Sequence, residues 1–247
     1  INKKPKQHLR ALGIKKHVHI DIFQCWDVLD AEVLHLRMAP NALAVYKSAP
    51  EFIRIPSVEP VSKPLPWSDA AAFQSVVSKL NTTDVLHLGN SSIVRYFNYF
   101  PKAVQLYGNR GVAGIDGSLS TAVGAALADP NRRHFLIIGD QSFLYDHNGL
   151  YGQKIPQNLV VCVLNNGVGG IFDWLSGTAS TGPIAQRVFA NAQNVNLEGI
   201  ASAFGVGYEA VASVEALVKA LDTAVGAKII DSKTEQRANL AALAALR

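Results

Sequence analysis

Cysteine, charge and long apolar runs are all scarce in this chain. Two cysteines in 247 residues, Cys25 and Cys162, both in apolar stretches, exclude a disulfide scaffold and favour a reduced, cytoplasmic protein. No apolar run approaches the roughly 20 residues that cross a bilayer, so no membrane span is expected. The opening Ile1-Asn2-Lys3-Lys4-Pro5-Lys6 has no apolar signal segment behind it and no initiator methionine, so the expectation is an excised or incomplete piece. No His/Cys cluster has zinc spacing, and no Gly-x-Ser-x-Gly elbow occurs. Gly167-Val168-Gly169-Gly170 falls short of the dinucleotide fingerprint.

With 49% hydrophobic and 17% charged residues, the chain has apolar area for a sizeable core, which excludes disorder as its dominant state. The net charge of +4 is confined to residues 1–66, where ten Lys/Arg stand against six Asp/Glu. Lys3, Lys4, Lys6, Arg10, Lys15 and Lys16 precede any acid, as in a nucleic-acid arm. No aromatic-basic interleaving follows, so an ordinary solvated face is the preferred reading and no nucleic-acid partner is expected.

Residues 1–55 read as an incomplete α/β fragment, a basic helix and one or two short strands, too little to bury a core of its own. Residues 56–66 hold four of the eleven prolines (Pro56, Pro60, Pro64 and Pro66), a density that makes 56–67 an extended linker. From residue 68 helices and strands alternate. Ser68 is a candidate N-cap, and Phe73, Val76, Val77 and Leu80 recur at helical spacing. Strands are expected at 85–88, 104–107, 134–138, 159–164, 208–211 and 227–231. Helices are expected at 91–99, 117–127, 142–153, 197–204, 213–224 and the C-terminus. Residues 176–190 are small and polar and read as a mobile loop. Continuous Val/Ile/Leu strands mean burial on both faces. The fold class is therefore α/β, a doubly wound, mainly parallel sheet with helices on both faces, over 68–247.

The chemistry concentrates at two strand ends. Gly139-Asp140 closes one buried strand and Asn165-Asn166 the next, and ligands of open parallel sheets sit outside such carboxyl ends. Gly139 lets a ligand approach the backbone. Asp140 and Asn166 supply hard oxygen donors, which suits Mg²⁺ (or Mn²⁺) bridging to a phosphate. The helix expected from Ser142 aims free N–H groups at that anion. Gly167, Gly169 and Gly170 allow the Val168 carbonyl to turn inward as a third metal ligand. Arg95, one turn into a helix that opens on Asn90, Ser91 and Ser92, forms a carboxylate-binding set with them. Arg110 sits in a glycine-flanked turn from which it can reach a cleft. Routine ion pairs are the alternative for either arginine. His87 and His134 read as packed strand histidines and Cys162 as buried and inert, while His35 and His147 are left without a role.

Gly139-Asp140, 23 residues (142–164), then Asn165-Asn166 resembles the thiamine-diphosphate motif, with Gln141 where the general motif has glycine. Leu88-Gly89-Asn90-Ser91-Ser92-Ile93-Val94-Arg95 and Asn109-Arg110-Gly111-Val112-Ala113-Gly114-Ile115-Asp116-Gly117 narrow the resemblance. So do the run from Gly139 to Leu150 and that from Asn165 to Phe172. Together they are similar to the MenD family, the 2-succinyl-5-enolpyruvyl-6-hydroxy-3-cyclohexene-1-carboxylate synthases, over most of 68–247.

The resemblance implies a thiamine-diphosphate- and Mg²⁺-dependent decarboxylative addition of 2-oxoglutarate to isochorismate in menaquinone biosynthesis. It implies that Gly139, Asp140, Gln141, Ser142 and Asn166 bind cofactor, with Asp140, Asn166 and the Val168 carbonyl on the metal. Ser91, Arg95 and Arg110 would take substrate carboxylates. Ile115 would wedge between the cofactor rings, and Ile171 and Phe172 would wall the reacting centre; for all three a plain core role stays open. It further implies a homodimer or tetramer whose pyrimidine-binding domain, with an activating glutamate, is not in this chain. Residues 1–55 would then be the tail of a middle domain. Glu198, Glu209, Glu215 and Glu235 are expected away from the cleft, and the piece alone is expected to be inactive. Other readings are a 2-oxoacid decarboxylase, an acetolactate-type synthase, or a non-catalytic scaffold of the same fold.

Overall fold

In the computed structural model the described residues are 65–110, 114–152, 155–180, 182–183 and 185–246. The expected N-terminal fragment, most of the linker, Cys25 and His35 lie outside them.

Six strands form one sheet in the order β2-β1-β3-β4-β6-β5, every pair parallel. They are β1 (Val85–Leu88), β2 (Gln105–Gly108), β3 (His134–Gly139), β4 (Leu159–Asn165), β5 (Gly207–Val211) and β6 (Lys228–Lys233). The helices are α1 (Asp69–Lys79), α2 (Ser92–Tyr96), α3 (Ser118–Ala128), α4 (Asp140–Asp146), α5 (Ser176–Ala179), α6 (Leu197–Phe204), α7 (Val214–Asp222) and α8 (Gln236–Leu246).

Strand period explains the unbroken apolar runs. Successive side chains point to opposite faces, so a strand covered on both sides must be apolar throughout. In β4, Val160, Cys162 and Leu164 join a core on one face with Phe73 and Val76 of α1 and Leu217 of α7. Val161 and Val163 join a second core on the other face with Leu119 of α3, Phe143 of α4 and Leu197 of α6. The doubly wound parallel reading thus holds.

Several boundaries differ from expectation, each for a local reason. The helix expected over 142–153 begins at Asp140, directly after an extended Gly139, and tightens to a 3₁₀ turn at His147–Leu150. Asp146 accepts hydrogen bonds from the Ser120 amide and hydroxyl, and a Cβ on Gly149 would lie 2.8 Å from Ser120 Cα. The close approach of α3 therefore ends the regular helix. The helix expected over 91–99 spans Ser92–Tyr96; it starts after Ser91 because that residue has φ +69°, outside the helical region. The loop expected over 176–190 contains the short α5 and one π-turn, Ala185–Phe189. Among the described residues no helix is long and apolar enough to cross a membrane.

The chain runs from β1 outward to β2, then returns to β3 on the other side of β1. The strand order therefore reverses between β1 and β3, and in open α/β sheets that is where a crevice opens at the carboxyl ends.

Candidate active site

Four loops meet at this crevice. After β1, Gly89 passes so close to β3 that a Cβ there would sit 3.3 Å from Ile138 Cα, and its amide donates to the Ile137 carbonyl at 2.8 Å. Asn90 is buried, and its amide donates to the carbonyls of Asn109 (2.7 Å) and Gly114 (2.6 Å), pinning the loop after β2 to the loop after β1. Ser142 donates its hydroxyl to the Ile115 carbonyl, tying that loop to α4. Ile115, half-buried, is thereby held beside the tip of β3.

Asp140 follows Gly139, which is in register with Leu164 of β4, so the two strand tips end side by side. The Asp140 carboxylate is buried and accepts from Gln193 Nε2 at 2.5 Å. The same nitrogen lies 3.4 Å from Asn165 Oδ1. Burial pushes the Asp140 carboxyl up to about 6, against hydrogen bonds from Gln193 and the backbone that lower it, and the nearby Asp69 charge adds to the rise. Among the described residues no salt bridge involves Asp140.

Asn166, half-buried, is oriented at both ends of its amide. Its Nδ2 donates to Asp69 Oδ2 at 2.8 Å, and its Oδ1 accepts from the Val168 amide at 3.0 Å. The Val168 carbonyl accepts from the Gly170 amide at 2.9 Å, which leaves it one further lone pair. Gly167 has φ +72°, a conformation that glycine adopts freely. Asn165 donates to Asp231 at 3.0 Å and is turned into the sheet.

A segment that sequence reading passed over closes this turn. Gly169 donates to the Ala190 carbonyl (2.6 Å), Gln193 donates to the Gly167 carbonyl (2.8 Å), and Gln141 donates to the carbonyls of Ala190 (2.8 Å) and Asn191 (2.7 Å). Gln141, the departure from the general motif, thus anchors residues 190–191. Beside it Ile171 is buried, and the half-buried Phe172 packs its ring 5.6 Å from that of Phe189.

Ser91, Arg95 and Arg110 lie at the open rim. Arg95 is exposed and donates to the Ser91 carbonyl at 2.5 Å, stabilising the positive-φ turn. Arg110, also exposed, donates to Asn90 Oδ1. A non-glycine residue held at positive φ costs about 1–3 kcal/mol and collects at functional sites. His147 packs against Phe204 and has no contact with the strand tips among its recorded partners, Leu144 and Phe204. Cys162 is buried and its thiol is pushed up to about 12 by burial alone. Glu235 is exposed, but it follows Thr234, whose amide donates to the Asn165 carbonyl, so its backbone lies at the carboxyl edge of the sheet.

The donor set fits a hard divalent cation. Asp140 is a buried carboxylate without a cationic partner among the described residues, Asn166 presents an oxygen fixed in direction, and the Val168 carbonyl adds a third. A Cβ built on Gly139 meets nothing within 4 Å, which leaves room beside Asp140 for a ligand group. No cluster of three or more His, Cys, Asp or Glu occurs among the described residues, so softer metal chemistry has no site there.

A parallel sheet with an acid and an amide at adjacent tips beside its switch point is the architecture of a diphosphate-binding domain. Residues 88–232 match the thiamine pyrophosphate enzyme family at its C-terminal TPP binding domain, and the chain belongs to that family. Within it, the chain is similar to the 2-succinyl-5-enolpyruvyl-6-hydroxy-3-cyclohexene-1-carboxylate synthase of Flavobacterium psychrophilum, 30% identical over 245 residues, 92% of this chain and 44% of the relative. The synthase of Bacteroides fragilis is 33% identical over 242 residues, 90% and 42% of the two chains. That of Phocaeicola vulgatus is 39% identical over 160 residues, 64% and 28%. The likeness to the C-terminal portion of these synthases, read above from four segments, is borne out; the chain spans less than half the length of these relatives.

Proposed function

We propose that this chain is the diphosphate- and metal-binding part of an enzyme that adds decarboxylated 2-oxoglutarate to isochorismate in menaquinone biosynthesis, with thiamine diphosphate and Mg²⁺. What supports this reading is that Asp140 and Asn166 follow the tips of the neighbouring strands β3 and β4 beside the switch point, in a chain similar to these synthases. When bound, thiamine diphosphate supplies the electron sink for decarboxylation and carbon–carbon bond formation.

The chain's own residues do the rest. Asp140, Asn166 and the Val168 carbonyl hold Mg²⁺, and Gly139 leaves space for the diphosphate. Gln141 and Ser142 brace the loops on either side, 190–191 and Ile115. Ile115 would pack against the cofactor, and Ile171 with Phe172 would exclude water from one side. Arg95 and Arg110 at the rim, with Ser91 between them, receive carboxylates. Both substrates carry more than one carboxylate, and guanidinium groups at the rim are complementary to them in charge.

In this reading the aminopyrimidine is held by a pyrimidine-binding domain, which brings the activating glutamate. The assembly is a cytoplasmic homodimer or tetramer, and this chain alone has no turnover. The test supplies the chain with the pyrimidine-binding domain of a relative and measures turnover. We expect Arg95→Ala and Arg110→Ala each to lower kcat/KM for 2-oxoglutarate about ten- to hundredfold, the loss of a charge-assisted hydrogen bond. Use of a monocarboxylic 2-oxoacid should change little. Unaltered preference for the dicarboxylate in both variants would contradict the substrate assignment, and turnover by the chain alone would contradict the shared site.

A further inference from the structure

We infer that Asp69, at the start of α1 and 97 residues from the metal turn, is a positioning residue that, together with the Val168 amide, holds the oxygen end of the Asn166 amide toward the cation. This rests on the metal assignment above. The oxygen and nitrogen ends of an asparagine side chain are nearly the same size, and only the oxygen can ligate a hard cation. A free asparagine could present either. Asp69 limits that choice from the nitrogen end, where its Oδ2 accepts from Asn166 Nδ2, while the Val168 amide donates to the oxygen end. Asp69 Oδ2 lies 2.8 Å from Asn166 Nδ2, so the nitrogen end is held toward α1 and Oδ1 is turned toward the Val168 amide.

Asp69 is itself fixed from two further elements. Thr234, just past β6, donates its hydroxyl to Oδ1, and Asn239 of α8 accepts from the Asp69 amide at 2.7 Å. The residue is only 2% exposed, so neither water nor rotamer change readily releases the contact. Helix α1 is thereby a part of the metal site as well as a wall of the core.

The test is a titration of the 247-residue chain, supplied with the pyrimidine-binding domain of a relative, with Mn²⁺ in the presence of thiamine diphosphate, followed by the electron paramagnetic resonance signal of free Mn²⁺. Thermal melts without metal report on the fold. Asp69→Ala should weaken Mn²⁺ binding about ten- to hundredfold, the usual range for losing a group that orients a metal ligand. Asp69→Asn keeps an acceptor for the amide and should retain the greater part of the affinity. Asn239→Ala removes a bond to the Asp69 backbone but leaves the carboxylate contact. It should lower the melting temperature and leave Mn²⁺ affinity unchanged. Wild-type affinity in folded Asp69→Ala overturns the inference alone. So does equal loss in Asp69→Asn and Asp69→Ala, or a matching loss in Asn239→Ala. Absence of Mn²⁺ binding by the wild-type chain with the pyrimidine-binding domain of a relative supplied overturns the metal assignment and this inference with it.

Discussion

Asp140 places stability and binding in opposition. Burial lifts its carboxyl from the ordinary 3.8 to about 6, so the folded state holds the proton more tightly than the unfolded state does. Its contribution to stability is therefore greatest below pH 3.8 and is lost as pH rises toward 6, where a bare carboxylate is left buried. A cation bound there relieves that cost and requires the deprotonated form. Metal affinity should hence fall about tenfold for each pH unit below about 6, following the fraction of ionised Asp140. Calorimetric titration with Mg²⁺ and thiamine diphosphate at pH 7 and pH 5 checks this, and equal affinity at the two values would remove Asp140 from the metal. Asp140 and Asn166 were legible in the sequence because each closes an apolar strand. Asp69 and Gln193 were not, because they reach the same place from 97 and 53 residues away and carry no local pattern.

Among the elements, β1 and β3 are joined by a buried pair of imidazoles. His87 Nε2 and His134 Nδ1 share a hydrogen bond of 2.9 Å, the rings stack at 5.2 Å, and Tyr107 of β2 stacks on His87. Burial lowers the His87 pKa from 6.5 to about 3, with the neighbouring His134 adding to the shift, and burial lowers that of His134 too. Both rings are thus neutral in the fold but protonate in the unfolded chain below pH 6.5. Stability should be fully present above that value and should fall as pH drops toward 3, by about 1.4 kcal/mol per unit at most from His87, with His134 adding to the fall. Denaturant unfolding of the wild type and of His87→Phe/His134→Leu at pH 6.5 and pH 5 isolates this slope, since Asp140 contributes equally to both proteins. A slope unchanged by the double substitution would contradict the account. The strands were readable because unbroken Val/Ile/Leu runs admit little else once both faces are covered. Helix ends were less so. The stop at Asp146 depends on Ser120 of α3 and the late start of α2 on the positive φ of Ser91, and neither is written in local periodicity.

At the level of the whole molecule, one topological fact collects the site. Because the chain leaves β1 toward β2 and comes back to β3, the loops carrying Ser91, Arg110, Ile115, Asp140 and Asn166 all open at one end of the sheet. Alternating apolar strands and amphipathic helices announce such a sheet, and the paired Gly-Asp and Asn-Asn steps announce where on it a ligand sits. Strand order and the bracing segment around residue 190 follow from packing between distant parts and needed coordinates. The most direct test of the account is a crystal of the chain grown with Mn²⁺ and thiamine diphosphate, with the metal located by its anomalous scattering. The account predicts one peak at about 2.1 Å from an Asp140 carboxylate oxygen, Asn166 Oδ1 and the Val168 carbonyl oxygen. A peak bound elsewhere, with these three oxygens left without metal, would contradict it.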